Sequence, residues 1–228
     1  MVKSVSLINN HRRYALVIGG FGEIGEHLCV ELEKKKIIPI VCYNSYKKID
    51  TQYKKFKVDL TNTNEIDSFL KNLKKNYDNI EYIFHLAAGC LDLKKITRFH
   101  KKKLLNDFNI AVTGPLRIFS FVILNYFIKV KRGNIYAILS KAMGTHNREP
   151  MQLMGSYLIS KNALKMTLDI LKTEFKWLNV NYLHLGFVKT KFIDVFDERF
   201  LQIVSKKEKI LKPQEAAKLI LKSIDYDN

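Results

Sequence analysis

The stretch Tyr14-Ala-Leu-Val-Ile-Gly-Gly-Phe-Gly-Glu-Ile-Gly25 decides the fold. Its opening apolar run reads as a buried strand. The glycine run from Gly19 to Gly25 then turns the chain into a helix that extends to about Lys35. Glycines let a backbone turn tightly and approach a diphosphate, and the helix start that follows offers free N–H groups and partial positive charge. A glycine pattern alone is weak evidence, but a strand before it and a helix after it are the context a dinucleotide-binding turn requires. Gly19, Phe21, Gly22, Glu23 and Ile24 are therefore candidate cofactor contacts. Glu23 suits the dipole at a helix start. It also stands where a diphosphate would lie, so it is expected to point outward.

Outward from this turn, strand-like and helix-like runs alternate. Ile37–Tyr43, Phe56–Val58, Tyr82–Leu86, Asn134–Leu139 and Val180–His184 read as further strands. Asn62 with Glu65 forms a capping pair for a helix carrying Ile66, Phe69, Leu70 and Leu73. A long helix covers about Leu104 to Lys129, another bears Tyr157 and runs to about Leu178, and Pro213 opens a last one ending near Ile224. Continuous apolar strands alternating with helices predict an α/β fold: a doubly wound parallel sheet of six strands with helices on both faces. No repeat or linker interrupts the pattern, so 1–228 reads as a single NAD(P)-binding domain with room for a sizeable core.

Composition narrows the partners. The longest apolar run, Ile118–Ile128, falls short of the roughly 18 residues a bilayer span needs. Met1–Tyr14 holds no apolar signal core, so a cytoplasmic location is expected. Cys29, Cys42 and Cys90 lie far apart and read as packing residues in a reducing compartment, and no metal is expected. The net charge of +17 suits an acidic partner or reflects a lysine-rich composition. The lysines are spread in small groups such as Lys34–Lys36 and Lys101–Lys103, without clustered arginine and aromatics, so no nucleic-acid partner is expected.

The chemistry centres on Tyr157-Leu-Ile-Ser-Lys161. Residues four apart share a helix face. A phenol holds its proton at neutral pH, with a pKa of about 10. A neighbouring ammonium is expected to lower that value and make a general acid able to protonate a carbonyl oxygen. The same spacing recurs at Tyr43/Lys47 and Tyr53/Lys57, but those pairs lie at strand ends and loops. After the second strand come Asn44, Ser45, Lys47 and Lys48, with no acid before Asp50. An acid there commonly takes a free ribose 2′-hydroxyl. Hydroxyl, amide and lysines suit a 2′-phosphate, which favours NADP(H) over NAD(H).

Together these pieces resemble the short-chain dehydrogenase/reductase family over residues 14 to 224. Val58-Asp59-Leu60-Thr61 is similar to the family's adenine-contacting segment, and Leu86-Ala87-Ala88-Gly89 stands where Asn-Asn-Ala-Gly is usual. Gly133–Ser140 resembles the strand ending in the active-site serine, and Leu185-Gly186-Phe187-Val188-Lys189-Thr190 the segment lining the nicotinamide. The resemblance implies that Ser140 hydrogen-bonds the substrate oxygen and Tyr157 exchanges its proton. It implies that Lys161 tunes the tyrosine and grips the nicotinamide ribose, and that Thr190 seats the carboxamide. It places Asp59, Leu60, Ala87, Ala88, Gly89, Gly186 and Val188 at the cofactor.

Three departures accompany the resemblance. The family's relay asparagine aligns with Ala111, while Asn109 stands two residues earlier, turned by about 200° in a regular helix, so either the helix carries a local irregularity or the relay asparagine is missing. The segment from Ser140 to Tyr157 is longer than usual and carries His146, Asn147, Arg148 and Glu149. The family's usual seventh strand is not expected. The expected function is an NADP(H)-dependent carbonyl reductase or alcohol dehydrogenase acting on a small molecule. Tyr43-Asn44-Ser45 resembles 3-oxoacyl-carrier-protein reductases, so a carrier- or CoA-linked thioester is the expected substrate. The alternatives are a sugar or nucleotide-sugar substrate, or a non-catalytic nucleotide-binding role. The apolar 118–128 helix offers a face for a homodimer.

Overall fold

The computed structural model describes residues 12–45 and 52–225. Strands β1 (Arg13–Ile18), β2 (Ile37–Tyr43), β3 (Lys54–Lys57), β4 (Tyr82–His85), β5 (Asn134–Ser140) and β6 (Asn179–Leu185) form one sheet in the order β3-β2-β1-β4-β5-β6. Every pairing is parallel, so the six-stranded α/β sheet expected from the alternation is the one formed. The strand order reverses between β1 and β4, and such a reversal opens a crevice at the strands' C-terminal ends.

The helices are α1 (Glu23–Lys34), α2 (Thr63–Asn76), α3 (Lys101–Phe108), α4 (Gly114–Val122), α5 (Ile128–Val130), α6 (Gly155–Glu174), α7 (Glu198–Lys207) and α8 (Pro213–Asp225). Alternation along β1 sends Leu16 and Ile18 to one face and Ala15 and Val17 to the other. The first face is covered by Ile66 and Phe69 of α2, Phe119 of α4, and Leu164 and Leu168 of α6. The second meets Leu28 and Leu32 of α1 and Ala217 and Ile220 of α8. Burying each such leucine or phenylalanine contributes about 1.5–3 kcal/mol.

Local signals set the helix ends. Asn62 Oδ1 accepts the N–H groups of Asn64 and Glu65, at 3.1 and 3.3 Å, and Asn62 Nδ2 donates to Glu65 Oε1 at 3.0 Å, as the capping pair foretold. Segments α3, α4 and α5 are one 30-residue helix, Lys101–Val130, interrupted by π-helical turns at Asn109–Thr113 and Ile123–Phe127. By length and composition it is apolar enough to cross a membrane, contrary to the reading of the run alone. Half of its most apolar window is buried in the fold, which is how a core helix passes that test.

Some boundaries differ. Helix α6 stops at Glu174, where Phe175 and Leu178 turn the chain back into β6. Helix α7, capped by Asp197 Oδ1 on the Phe200 N–H at 2.8 Å, was not foreseen. Cys29 and Cys42 are packed, but Cys90 is exposed because it follows the loop leaving β4. Past the end of edge strand β6, Leu211 adds a parallel bridge to Val188.

Candidate active site

The glycine turn is a backbone cradle with no room for a side chain at Gly19 or Gly25. Gly19 adopts φ +84°, and a Cβ there would stand 2.9 Å from the Ala87 nitrogen. A Cβ on Gly25 would stand 2.6 Å from the Gly19 carbonyl oxygen. Gly22 is the N-cap of α1, and no side chain caps the helix. A close-packed turn before an uncapped helix start fits a diphosphate. Glu23 does not turn outward. Its Oε2 accepts the Lys191 N–H at 2.8 Å, tying the start of α1 to the segment after Thr190.

One cleft of about 390 Å³ runs along the strand ends. Gly19, Phe21, Gly22, Glu23 and Ile24 line one end, with Asn44 and Ser45 beyond β2. Ala87 and Ala88 follow β4. Ser140, Tyr157 and Lys161 line the middle, with Gly186, Val188 and Thr190 opposite. Three expected contacts do not line it. Asp59 Oδ1 is occupied by the N–H and hydroxyl of Thr61, each at 2.8 Å. Leu60 is packed in the core. Gly89 lies against Asp107, whose Oδ1 is 2.2 Å from where its Cβ would be. Lys47 and Lys48 fall outside the described residues.

Tyr157 sits in the first turn of α6 and Lys161 one turn later. Leu153, at φ +66°, turns the chain into that helix. Lys161 is buried, and its Nζ donates to the Ile138 carbonyl at 2.8 Å and lies 5.8 Å from the Tyr157 ring centroid. Burial pushes the Lys161 pKa down to about 8. The expected lowering of Tyr157 is not found. Burial pushes its pKa up to about 12; a hydrogen bond with Ser140 lowers it, and the buried Asp107 carboxylate raises it. The phenol thus holds its proton throughout the neutral range.

The π-helical turn at Asn109–Thr113 is a local irregularity at the relay position, yet it does not bring Asn109 to the site. Asn109 Oδ1 accepts the Thr113 hydroxyl at 2.8 Å on the exposed side, and Ala111 is the residue buried here. Of the longer loop after Ser140, Arg148 lines the cleft and pairs with Glu208 at 3.8 Å. The sequence reading missed the opposite wall. Leu91, Met151, Met154, Phe187, Phe192 and Phe196 line it, and the Phe192 ring lies 5.3 Å from that of Tyr157. The signal was the apolar spacing of Phe192, Ile193, Phe196 and Phe200 around α7.

Comparison with known proteins agrees with this fold. A short-chain dehydrogenase from Streptomyces avermitilis has 16% identity and a TM-score of 0.79, with 96% of this chain and 85% of that one covered. A short-chain type dehydrogenase/reductase from Mycobacterium ulcerans has 16% identity and a TM-score of 0.79, covering 92% and 82%. A short chain dehydrogenase family protein from Francisella tularensis subsp. tularensis SCHU S4 has 22% identity and a TM-score of 0.72, covering 91% and 89%. These likenesses establish the fold. No curated protein sequence matches the chain. The short chain dehydrogenase family model matches residues 13–199, most of the chain and every strand, and the chain belongs to that family of oxidoreductases.

Proposed function

We propose that the protein is an NADP(H)-dependent carbonyl reductase whose general acid is Tyr157 and whose substrate is an apolar ketone, with 3-oxoacyl thioesters the leading class. The observation that carries this reading is the convergence of Ser140, Tyr157 and Lys161 in the cleft that begins at the glycine cradle. The cradle and the uncapped start of α1 would hold the diphosphate, and Asn44 and Ser45 the 2′-phosphate. The bound cofactor supplies the hydride for the carbonyl carbon. Ser140 orients the carbonyl oxygen, and Tyr157 gives that oxygen its proton. Lys161, cationic below about pH 8, offsets the charge that develops on the phenolate. Thr190, whose hydroxyl donates to the Val188 carbonyl at 3.2 Å, would seat the carboxamide.

The aromatic and methionine wall favours an acyl chain over a sugar. A sugar needs paired donors and acceptors for its hydroxyls, and unpaired polar groups against such a wall are costly. Lys141 and Arg148 line the same cleft, and cations there suit an anionic thioester carrier. The test is NADPH and NADH oxidation with acetoacetyl thioesters, medium-chain ketones and ketoses. Turnover is expected with NADPH and the apolar substrates, and Tyr157→Phe should remove at least 99% of it while NADPH still raises the melting temperature. Preference for ketoses or for NADH, or full turnover by the phenylalanine variant, would overturn the assignment.

A further inference from the structure

Ser140 and Leu185 stand in register at the ends of β5 and β6, and Lys141 and Gly186 follow them. Gly186 has no side chain, and two others use the space above it. Lys141 Cδ lies 3.6 Å, and Glu208 Oε2 3.3 Å, from where a Cβ on Gly186 would stand. Arg148 reaches the same carboxylate from the loop after Ser140, with its Nη2 3.8 Å from Glu208 Oε1. Lys141, Arg148, Gly186 and Glu208 all line the cleft, and Arg148 is the only arginine among the described residues that does.

Backbone bonds hold this cluster in place. The Thr145 N–H donates to the Arg148 carbonyl at 2.7 Å, the Arg148 N–H returns to the Thr145 carbonyl at 3.2 Å, and the Met151 N–H closes the loop on the Ala142 carbonyl at 2.8 Å. The Glu208 N–H donates to the Val204 carbonyl at 2.9 Å, and Leu211 then bridges to Val188. The charged ends are far less engaged. A separation of 3.8 Å is an ion pair without a hydrogen bond. Among the described residues Lys141 has no ion-pair partner and the Arg148 guanidinium donates no hydrogen bond. Two cations thus share one carboxylate, and the cluster is one negative charge short of neutral. The Arg148 side chain is 57% exposed, and an ion pair so exposed contributes little, so its fork can turn to an incoming anion at small cost. That fork presents planar donors that match a carboxylate or a phosphate. We infer that Lys141 and Arg148 form an anion subsite beside Ser140, and that the preferred ketone carries a carboxylate or phosphate group to fill it. Glu208 holds the guanidinium over the cleft until that anion arrives.

The subsite rests on the reading of the cleft as a ketone site, so its test reads binding and needs no turnover. Met151 and Met154 line the cleft, and their 13C-methyl signals, assigned through Met151→Leu and Met154→Leu, report what enters it. Two matched pairs are titrated with and without oxidised NADP: acetoacetate against acetoacetamide, and acetoacetyl-pantetheine 4′-phosphate against acetoacetyl-pantetheine. In at least one pair the anion should bind about tenfold more tightly than its neutral partner, the size of one hydrogen bond to a charged group. The pair that shows the preference tells whether a carboxylate or a carrier phosphate is the source. Arg148→Gln and Lys141→Gln, both at side chains outside the core, should each shrink that ratio several-fold. Equal affinities within both pairs, a ratio untouched by either variant, or no response of either methionine to any of the four compounds would overturn the inference. Anion preference without NADPH-dependent turnover would fail the proposed function and leave the subsite standing; turnover without anion preference would do the reverse.

Discussion

In the proposed mechanism Lys161 serves chemistry at the expense of stability. Its folded pKa, about 8, lies below the ordinary lysine value of 10.5 because burial disfavours the ammonium. Between those values the unfolded chain binds the extra proton, so this group's contribution to stability rises with pH across that window, and its penalty is fully present below about pH 8. At about 1.4 kcal/mol per unit the penalty is on the order of 3 kcal/mol. Lys161→Met is therefore expected to stabilise the protein by about 2 kcal/mol at pH 7 while removing activity, with a smaller gain near pH 10. Urea unfolding at both pH values checks this; a variant less stable than wild type at pH 7 would refute it. The meeting of Ser140, Tyr157 and Lys161 in one cleft was legible because residue type and spacing carry it. Their protonation was not. The sign of the Tyr157 shift depends on burial and on Asp107, and neither is visible in a five-residue motif.

At the scale of the element, the long helix shows why spacing arguments falter. A period of 3.6 residues turns Asn109 away from Ala111, and the chain inserts a π-helical turn there, an irregularity that the misplaced asparagine left open but that no local propensity located. Gly114 and Pro115 follow that turn, and the glycine has a packing reason. A Cβ at 114 would stand 2.4 Å from the Leu60 carbonyl oxygen and 2.9 Å from Leu60 Cβ. Gly114→Ala should cost about 1–3 kcal/mol by overpacking against backbone that cannot yield. The helix-propensity gain of up to about 1 kcal/mol offsets only part of it. Chemical denaturation measures the difference, and a stabilised variant would show that α4 is free to move off β3's exit loop. Helix α7 escaped notice for another reason. Its ten residues are short, and their apolar positions face the cleft wall rather than the main core.

The whole molecule was the most legible scale. Strand identity follows from runs of apolar residues, and parallel order follows from the helices that lie between successive strands, β2 and β3 excepted among the described residues, so small errors at element ends did not disturb the architecture. Contacts between segments distant in sequence were the illegible part, among them the aromatic wall and the bond from Glu23 to the Lys191 N–H. That bond spans the mouth from the phosphate-facing turn to the segment carrying Phe192. In the proposed complex a diphosphate at the start of α1 would meet the Glu23 carboxylate as a like charge, and displacing it would release the wall proposed to hold the ketone. Under the proposed function this predicts a compulsory sequence of events: the nucleotide enters first and leaves last. Initial rates should show competitive inhibition by NADP against NADPH and mixed inhibition against the ketone. Glu23→Gln, which weakens the tie, should move the pattern toward random addition; a wild type that already adds its substrates at random would sever the link between the two halves of the cleft.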